Sequence, residues 1–329
     1  MGTRKMGRTL RRIGIKAIDS RDQTYSLTFH PDLQVLKRSI QSVGLIQPIL
    51  VREKASDAPY QVLSGFRRLA VCTQLGFGEI EVFSHQKSQL GDLEAFEMVL
   101  HENLSTRGLN LIEKSMVLHK LLHRFGLSKE SVARDYMPVL DLQPNLRVLE
   151  NVSQLVKLRA GLRRYIVKEE VSMGNAVQFL EFPEEDQGEI DRLISGLKLG
   201  ENTLKEVLTF LREISLRDGL MAKEIIRGEM GRITSDKDQS KVQRTQWVRG
   251  RLREMRYPGL TELQEAFREK SRGLGLSPKV SLQPPPYFEG DALRIEFRFR
   301  ELDEFKEIIA KLSVASEKKE LEEMLQLAL

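Results

Sequence analysis

The spacing of apolar residues changes along this 329-residue chain in a way that no single compact fold accommodates. Short apolar runs typical of strands alternate with helical spacing from residue 13 to about residue 95. From residue 93 to about residue 216, apolar residues recur only at helical spacing. A strictly alternating stretch returns at residues 293–300. The sequence therefore predicts an α+β protein of several domains.

The first predicted domain, residues 13–108, is a small α/β domain. Its strands are predicted at 13–18, 49–51, 61–63 and 80–83. The apolar face of its first helix consists of Leu33, Leu36, Ile40 and Val43. A second helix is predicted over residues 66–75, directly after Gly65. Strand and helix signals thus alternate throughout this region.

The other segments are distinguished by composition and periodicity. They are a basic tail at 1–12, an all-helical domain at 109–216, a basic linker or a set of loosely packed helices at 217–257 and a small α+β domain at 258–329. A half-buried hairpin strand in the last domain would place Leu293, Ile295, Phe297 and Phe299 on one face, and Arg294, Glu296, Arg298 and Arg300 on the other.

Composition excludes several classes of protein. No window approaches the roughly 18 uncharged apolar residues that a membrane-spanning helix needs, and no apolar signal stretch follows the basic N-terminus. We therefore expect a cytoplasmic protein without a membrane partner. Cys72 is the only cysteine, which excludes an intramolecular disulfide and a multi-cysteine metal site. Its position on a predicted helix indicates a small core residue.

Basic residues outnumber acidic ones by 52 to 47, and the excess is concentrated in residues 1–12 and 217–257. Such segments attract phosphate backbones without reading their sequence. A frayed tail and a solvated helical linker explain the two segments equally well.

The segment Ser64-Gly65-Phe66-Arg67-Arg68 is the most informative motif. It follows a predicted strand directly and opens a predicted helix. Glycine allows close approach of a ligand to the backbone, the helix start offers unpaired N–H groups, and the arginines supply cationic forks. The pentapeptide therefore predicts an oligophosphate site, although a solvated turn with surface arginines is the alternative from these five residues alone.

The context of this motif resembles a known family. The order is a helix, Gly44-x-x-Gln47-Pro48, two strands, then Gly65-x-Arg67-Arg68 and another helix. This order resembles the N-terminal domain of ParB-family partition proteins and their sulfiredoxin-like relatives. Residues 101–113, His-Glu-Asn-Leu-Ser-Thr-Arg-Gly-Leu-Asn-Leu-Ile-Glu, resemble the family's second signature. A sulfiredoxin nucleophile would have to be a cysteine where Phe66 stands.

The resemblance implies that the N-terminal domain binds CTP with magnesium. The expected nucleotide-binding residues are Gln47, Ser64, Gly65, Phe66, Arg67, Arg68, Glu102, Asn103 and Arg107. Glu102 and Asn103 would hold the metal, and they would be the catalytic pair if CTP is hydrolysed. Phe66 stands where the family usually has glutamate, which favours nucleotide binding over hydrolysis and leaves CTPase activity open.

The later segments resemble the family as well. The predicted helices at 129–136 and 145–158 resemble the helix-turn-helix that ParB proteins use on centromere-like DNA, and the polar residues that would meet bases or phosphates are Gln143, Asn145, Arg147 and Asn151. The connection at 137–143 is longer than a tight turn, so a helical domain that reads no sequence is the alternative. Residues 258–329 resemble the ParB dimerisation domain, which implies a homodimer. Arg294, Arg298 and Arg300 would contact DNA without sequence preference, or form a solvated face.

The function implied is a CTP-dependent DNA-binding clamp in chromosome or plasmid segregation, associated with the nucleoid. A ParA-type ATPase would engage the tail at 1–12. The alternative is a CTP-switched scaffold that recruits a protein partner and has lost specific DNA reading.

Overall fold

A computed structural model of the chain describes residues 8–54, 59–86, 90–231, 233 and 238–327. The chain divides into two compact units, residues 1–195 and residues 196–329. Both contain helices and strands, so the α+β class is confirmed. None of the described helices is long and apolar enough to cross a lipid bilayer.

The first unit is organised around a five-stranded sheet. Its strands are β1 (Thr9–Gly14), β2 (Ile18–Asp19), β3 (Ile49–Glu53), β4 (Tyr60–Ser64) and β5 (Glu79–His85). They lie in the order β1-β5-β3-β4-β2. The pairs β1–β5 and β3–β4 are antiparallel, and the pairs β3–β5 and β2–β4 are parallel.

Two helices, α1 (Gln34–Val43) and α2 (Phe66–Gln74), pack against this sheet. Their buried core includes Ile49, Val62 and Cys72, none of which is exposed. Cys72 is fully buried, which confirms the prediction of a core cysteine, and this burial raises the pKa of its thiol. Val43 is the last residue of α1 and is 61% exposed, so it does not belong to the buried core.

The predicted basic tail is partly a strand. Residues 9–12 belong to β1, because their backbone pairs with β5. Arg11 forms an ion pair with Glu53 at 3.0 Å, and Arg12 forms one with Glu79 at 3.2 Å. Residues 1–7, which include Arg4 and Lys5, lie outside the described residues.

Helices follow the sheet to the end of the first unit. They are α3 (Asp92–Thr106), α4 (Leu111–His123), α5 (Lys129–Ser131, continued by a π-helical turn at Val132–Tyr136), α6 (Leu146–Gln154), α7 (Ala160–Lys168), α8 (Met173–Gln178) and α9 (Glu184–Ser195). The all-helical pattern predicted after residue 93 is confirmed for this stretch. Helix α4 is central, since Ile112, Leu118 and Leu121 are fully buried and α6 and α7 pack against it.

The second unit begins with helices where the sequence predicted a linker. Its elements are α10 (Glu201–Asp218), α11 (Ala222–Ile225, continued by a π-helical turn at Ile226–Met230), α12 (Lys241–Arg256), α13 (Pro258–Gly273), β6 (Val280–Gln283), β7 (Arg294–Phe297), α14 (Leu302–Ser316) and α15 (Lys319–Leu327). Val248 and Leu252 are fully buried in α12. Arg249 and Arg256 form ion pairs with Glu206 and Glu213 of α10. The described part of 217–257 is therefore helical, which favours packed helices over a linker, and two of its basic side chains pair with acids of a neighbouring helix.

The predicted C-terminal hairpin is present but shorter than expected. Strand β7 pairs with β6 in antiparallel register and ends at Phe297, whereas the alternation predicted a strand to Arg300. Beyond the strand, the ring of Phe299 contacts that of Phe305 in a tilted arrangement, with the centroids 4.8 Å apart. The apolar face is only partly covered within the chain, since Ile295 is 47% and Phe299 51% exposed.

A group of carboxylates is paired at one end of the sheet. Lys54 donates hydrogen bonds to Asp19 at 2.8 Å and Asp22 at 3.3 Å. The bond from Lys54 lowers the pKa of Asp19. Burial opposes ionisation of Asp22, but the hydrogen bonds it accepts from Thr24, Gln61 and Lys54 outweigh burial and lower its pKa.

These shifts predict that acid weakens the first unit. A carboxylate whose pKa is lowered by folding stabilises the fold fully above its unfolded pKa of about 4, and this contribution is lost as pH falls through the folded pKa. We therefore expect Lys54→Met to lower the free energy of unfolding at pH 6, and the difference from wild type to shrink below about pH 4. Urea unfolding followed by circular dichroism between pH 2.5 and 6 measures this difference.

Lys16→Met is the matched control, because Lys16 is exposed and makes no ion pair among the described residues. A pH-independent difference between wild type and Lys54→Met would contradict the prediction.

Candidate functional site

A cavity of about 340 Å³ lies where β4 ends and α2 begins. All of the residues predicted to bind nucleotide line it: Gln47, Ser64, Gly65, Phe66, Arg67, Arg68, Glu102, Asn103 and Arg107. They come from three places, namely the loop before β3, the turn between β4 and α2, and the end of α3. The structure therefore brings together side chains that are up to 60 positions apart, from Gln47 to Arg107.

Gly65 makes the turn from β4 to α2. Its φ is +100°, a left-handed conformation that side chains disfavour. Glycine has no side chain to cap the helix, and the first N–H groups of α2 have no capping partner among the described residues. An uncapped helix start facing a cavity favours the binding of an anion.

The two arginines of the motif play different parts. Arg68 donates from Nη1 to the backbone oxygens of Gln47 and Pro48, at 2.9 Å each. Burial lowers the pKa of Arg68, and the nearby Glu102 carboxylate offsets part of that effect. Arg67 donates from Nη2 to the backbone oxygen of Asp32 at 3.3 Å. Its Nε is buried and makes no hydrogen bond among the described residues.

Glu102 and Asn103 lie near the C-terminal end of α3. Asn103 donates from Nδ2 to the backbone oxygen of Val99 at 2.9 Å, and Oδ1 accepts nothing in the part of the chain that the structure describes. The Glu102 carboxylate likewise has no hydrogen bond or ion pair there. No cluster of three or more histidine, cysteine, aspartate or glutamate side chains suited to a metal exists among the described residues. A metal held at Glu102 and Asn103 would therefore need further oxygen ligands from a bound molecule.

Arg107 lines the cavity, and hydrogen bonds hold its side chain in place. It donates from Nη1 to Oε2 of Glu113 at 2.6 Å, and from Nη2 to Oγ1 of Thr28 at 3.2 Å. Glu113 and Asn110 form a capping box at the start of α4. The second sequence motif thus joins a cavity wall to a helix cap.

Part of the cavity wall was not predicted from the sequence. Tyr25, Leu27 and Thr28 also line the cavity, although residues 22–29 match no expected motif and lie in neither a helix nor a strand. Burial of Tyr25 raises its pKa to about 12. No local pattern identified these residues, because distant side chains hold them in place.

A second cavity of about 320 Å³ lies beside the first. Thr28, Phe66 and Arg67 line both cavities. The remaining wall combines apolar side chains with hydroxyl and amide groups: Pro31, Leu33, Leu69 and Ala70, with Ser20, Gln23, Ser26 and Thr73. Such a mixture suits a planar polar ring.

The residues predicted to contact DNA lie in both units. Gln143, Asn145 and Arg147 are exposed at the start of α6, while Asn151 is half-buried. Asn145 caps α6, because its side-chain oxygen accepts from the backbone nitrogens of Arg147 and Val148. The connection before α6 contains Asp141 in a left-handed conformation. The exposed side chains of Arg294, Arg298 and Arg300 belong to the second unit, and only Arg294 lies within a strand.

Comparison with known proteins finds relatives of the N-terminal part of the chain. The family model of the ParB N-terminal domain matches residues 2–104. A probable chromosome-partitioning protein ParB from Vibrio cholerae is 29% identical over 167 residues, or 51% of this chain and 54% of that protein. A nucleoid occlusion protein from Oceanobacillus iheyensis is 26% identical over 155 residues, or 47% of this chain and 51% of that protein.

Solved structures of ParB proteins are also similar. The crystal structure of a C-terminally truncated chromosome-partitioning protein ParB from Caulobacter crescentus, complexed with CTP-γ-S, has a TM-score of 0.27 and 24% identity. It covers 54% of this chain and 94% of that chain.

Over residues 2–104 the chain is similar to the ParB N-terminal domain, which is the resemblance that the motif around Gly65 predicted. The chain spans about half the length of the curated relatives it matches.

The tight packing around Gly65 predicts how much a substitution there lowers the free energy of unfolding. A Cβ at this position would lie 3.2 Å from both Arg68 Nη2 and Ile49 Cγ2. Gly76, at the other end of α2, also has a positive φ of +75°, but a Cβ there would meet nothing within 4 Å. Gly76→Ala should therefore cost about 1 kcal/mol of unfolding free energy from its backbone conformation alone. Gly65→Ala should cost more, because the added methyl group also displaces Arg68 or Ile49.

Urea unfolding of the two variants measures both costs. Equal costs would contradict the close approach at Gly65.

Proposed function

We propose that the first unit binds CTP together with magnesium across the two neighbouring cavities. The triphosphate lies on the uncapped start of α2, with Gly65 allowing close approach and Arg67 supplying charge. The base lies in the second cavity, with the sugar beside Phe66 and Thr28. The observation that carries this proposal is Arg67 Nε, a buried donor without a hydrogen-bond partner among the described residues, on the wall shared by both cavities.

The donor set fits magnesium. Glu102 offers a carboxylate and Asn103 an amide oxygen, both hard ligands that have no other partner among the described residues. Magnesium bound there would neutralise phosphate charge when nucleotide is present. Choice of CTP over other nucleotides rests on the ParB resemblance together with the polar groups of the second cavity.

We further propose that the whole protein is a CTP-dependent DNA-binding clamp in chromosome or plasmid segregation, associated with the nucleoid. The ParB N-terminal domain supports the switch, and exposed polar residues at the start of α6 support contact with DNA. The partly uncovered apolar face around Ile295 and Phe299 supports a homodimer through the second unit. A ParA-type ATPase partner stays a prediction.

Nucleotide binding is tested by calorimetric titration of CTP, ATP, GTP and UTP with magnesium. We expect CTP to bind most tightly. Arg67→Ala should weaken CTP binding at least tenfold, because it removes a charged donor worth about 1.5–3 kcal/mol. Arg68→Ala is a poorer probe, since it also releases the backbone of Gln47 and Pro48.

Arg38→Ala is the control, because it removes the same charge from an exposed position on α1 with no partner among the described residues. Removing magnesium with EDTA should weaken CTP binding to the wild type. The same treatment should weaken CTP binding to Glu102→Gln much less. Absence of binding by every nucleotide would refute the proposed site.

DNA recognition is tested by selecting tight binders from random duplexes with the full chain, in the presence and absence of CTP. We expect one enriched sequence. Arg147→Ala should weaken binding to that sequence by about 1–3 kcal/mol, because Arg147 lies on the exposed face of α6. Arg164→Ala, an exposed arginine on α7, is the charge-matched control. Enrichment of no sequence would contradict sequence-specific DNA binding.

A further inference from the structure

The segment that walls both cavities has little structure of its own. Residues 20–33 form no α-helix and no strand, although the structure describes all of them. The backbone hydrogen bond within this stretch joins Ser26 N to Gln23 O at 3.2 Å. The wall segment, defined here as residues 23–29, must therefore be positioned by side chains from elsewhere.

Helix α4 holds the end of the wall segment through Glu113. This side chain is 2% exposed, and its Oε1 accepts a hydrogen bond from the backbone N–H of Phe29 at 3.1 Å. Its Oε2 accepts from Arg107 at 2.6 Å and from the backbone N–H of Asn110 at 3.2 Å. One buried carboxylate thus joins the wall segment, the end of α3 and the start of α4.

The same helix holds the start of the wall segment through Lys120. Its Nζ donates to the backbone oxygens of Gln23 at 2.7 Å and Ser26 at 2.6 Å. Lys120 is half-buried and forms no ion pair among the described residues; burial lowers its pKa to about 8, although the Asp22 carboxylate acts in the opposite direction. The two hydrogen bonds therefore join the Lys120 side chain to backbone oxygens of a segment that has no helix or strand of its own.

We propose that Glu113 and Lys120 are positioning residues for the nucleotide site. They are seven positions apart, two turns along α4, and they fasten the wall segment at both ends. Neither belongs to the lining of the two cavities. They act through Thr28, which lines both cavities, and through Gln23 and Ser26, which line the second. This inference rests on the proposed nucleotide binding.

The test uses the full chain and compares Lys120→Met and Glu113→Ala with wild type. Each variant should bind CTP with magnesium at least tenfold more weakly, although neither replaced side chain lines a cavity. Glu113→Gln keeps an acceptor for Phe29 N–H and should lose less affinity than Glu113→Ala. Lys114→Met, on the same helix, and Glu130→Ala, on α5, are the controls. Neither side chain forms an ion pair among the described residues, so both variants should bind CTP like wild type.

A second measurement separates positioning from general destabilisation. Amide hydrogen exchange of Phe29 and Ser26, followed by NMR without nucleotide, should accelerate in Glu113→Ala and Lys120→Met respectively. Amides of β3 and β4 should keep their wild-type rates.

Each outcome decides one of the two proposals. If wild type binds CTP and the variants bind it equally well, the positioning role is refuted. If wild type binds no nucleotide, the proposed function is wrong, but the exchange rates still test whether Glu113 and Lys120 hold the wall segment in place. Unchanged exchange rates at Phe29 and Ser26 in the variants refute that role, and accelerated rates support it.

Discussion

The buried guanidinium of Arg52 is the interaction on which the first unit depends. Its Nη2 donates to the side chains of Tyr25, Gln61 and Asp92 at 2.9, 2.7 and 2.7 Å, and its Nη1 donates to the backbone oxygen of Leu90 at 3.1 Å. These partners belong to the wall segment, β4 and the start of α3. A buried charge is tolerated only when its partners are in place, so this one side chain fixes three elements against β3. All three elements contribute to the cavity lining, through Tyr25, Ser64 and Glu102 respectively.

The adjacent arginines of the motif, Arg67 and Arg68, have different roles. Arg68 is committed to two backbone oxygens in the loop before β3, and it therefore shapes the cavity before any ligand arrives. Arg67 makes one long hydrogen bond and leaves a buried Nε without a partner among the described residues. The uncapped start of α2 adds further donors. A ligand rich in anionic oxygens satisfies all of these groups together.

The sequence predicted those parts of the site that local rules determine. A strand followed by glycine and a helix start has a physical signature, and each residue chosen on that basis lines the cavity. The wall segment had no such signature, because its position depends on contacts with partners as distant as Lys120, 97 positions from Gln23. The helices of residues 217–257 were hard to predict for a related reason. Composition shows that residues 217–257 are basic, but it does not show that Glu206 and Glu213, each 43 positions away, neutralise Arg249 and Arg256.

Helix α4 connects the cavities to the helices that follow. It fastens the wall segment through Glu113 and Lys120, and Ser115 on the same helix accepts a hydrogen bond from the backbone N–H of Val156 at 2.9 Å, just beyond α6. Under the proposed function, a nucleotide that fills the cavities stabilises the conformation in which α4 holds the wall segment in place. Any ligand of the α6 region that favours the same arrangement must then bind more tightly when nucleotide is present, and by linkage the nucleotide gains the same factor. Coupling between nucleotide and DNA therefore requires only that both favour one position of α4, without direct contact between the two ligands.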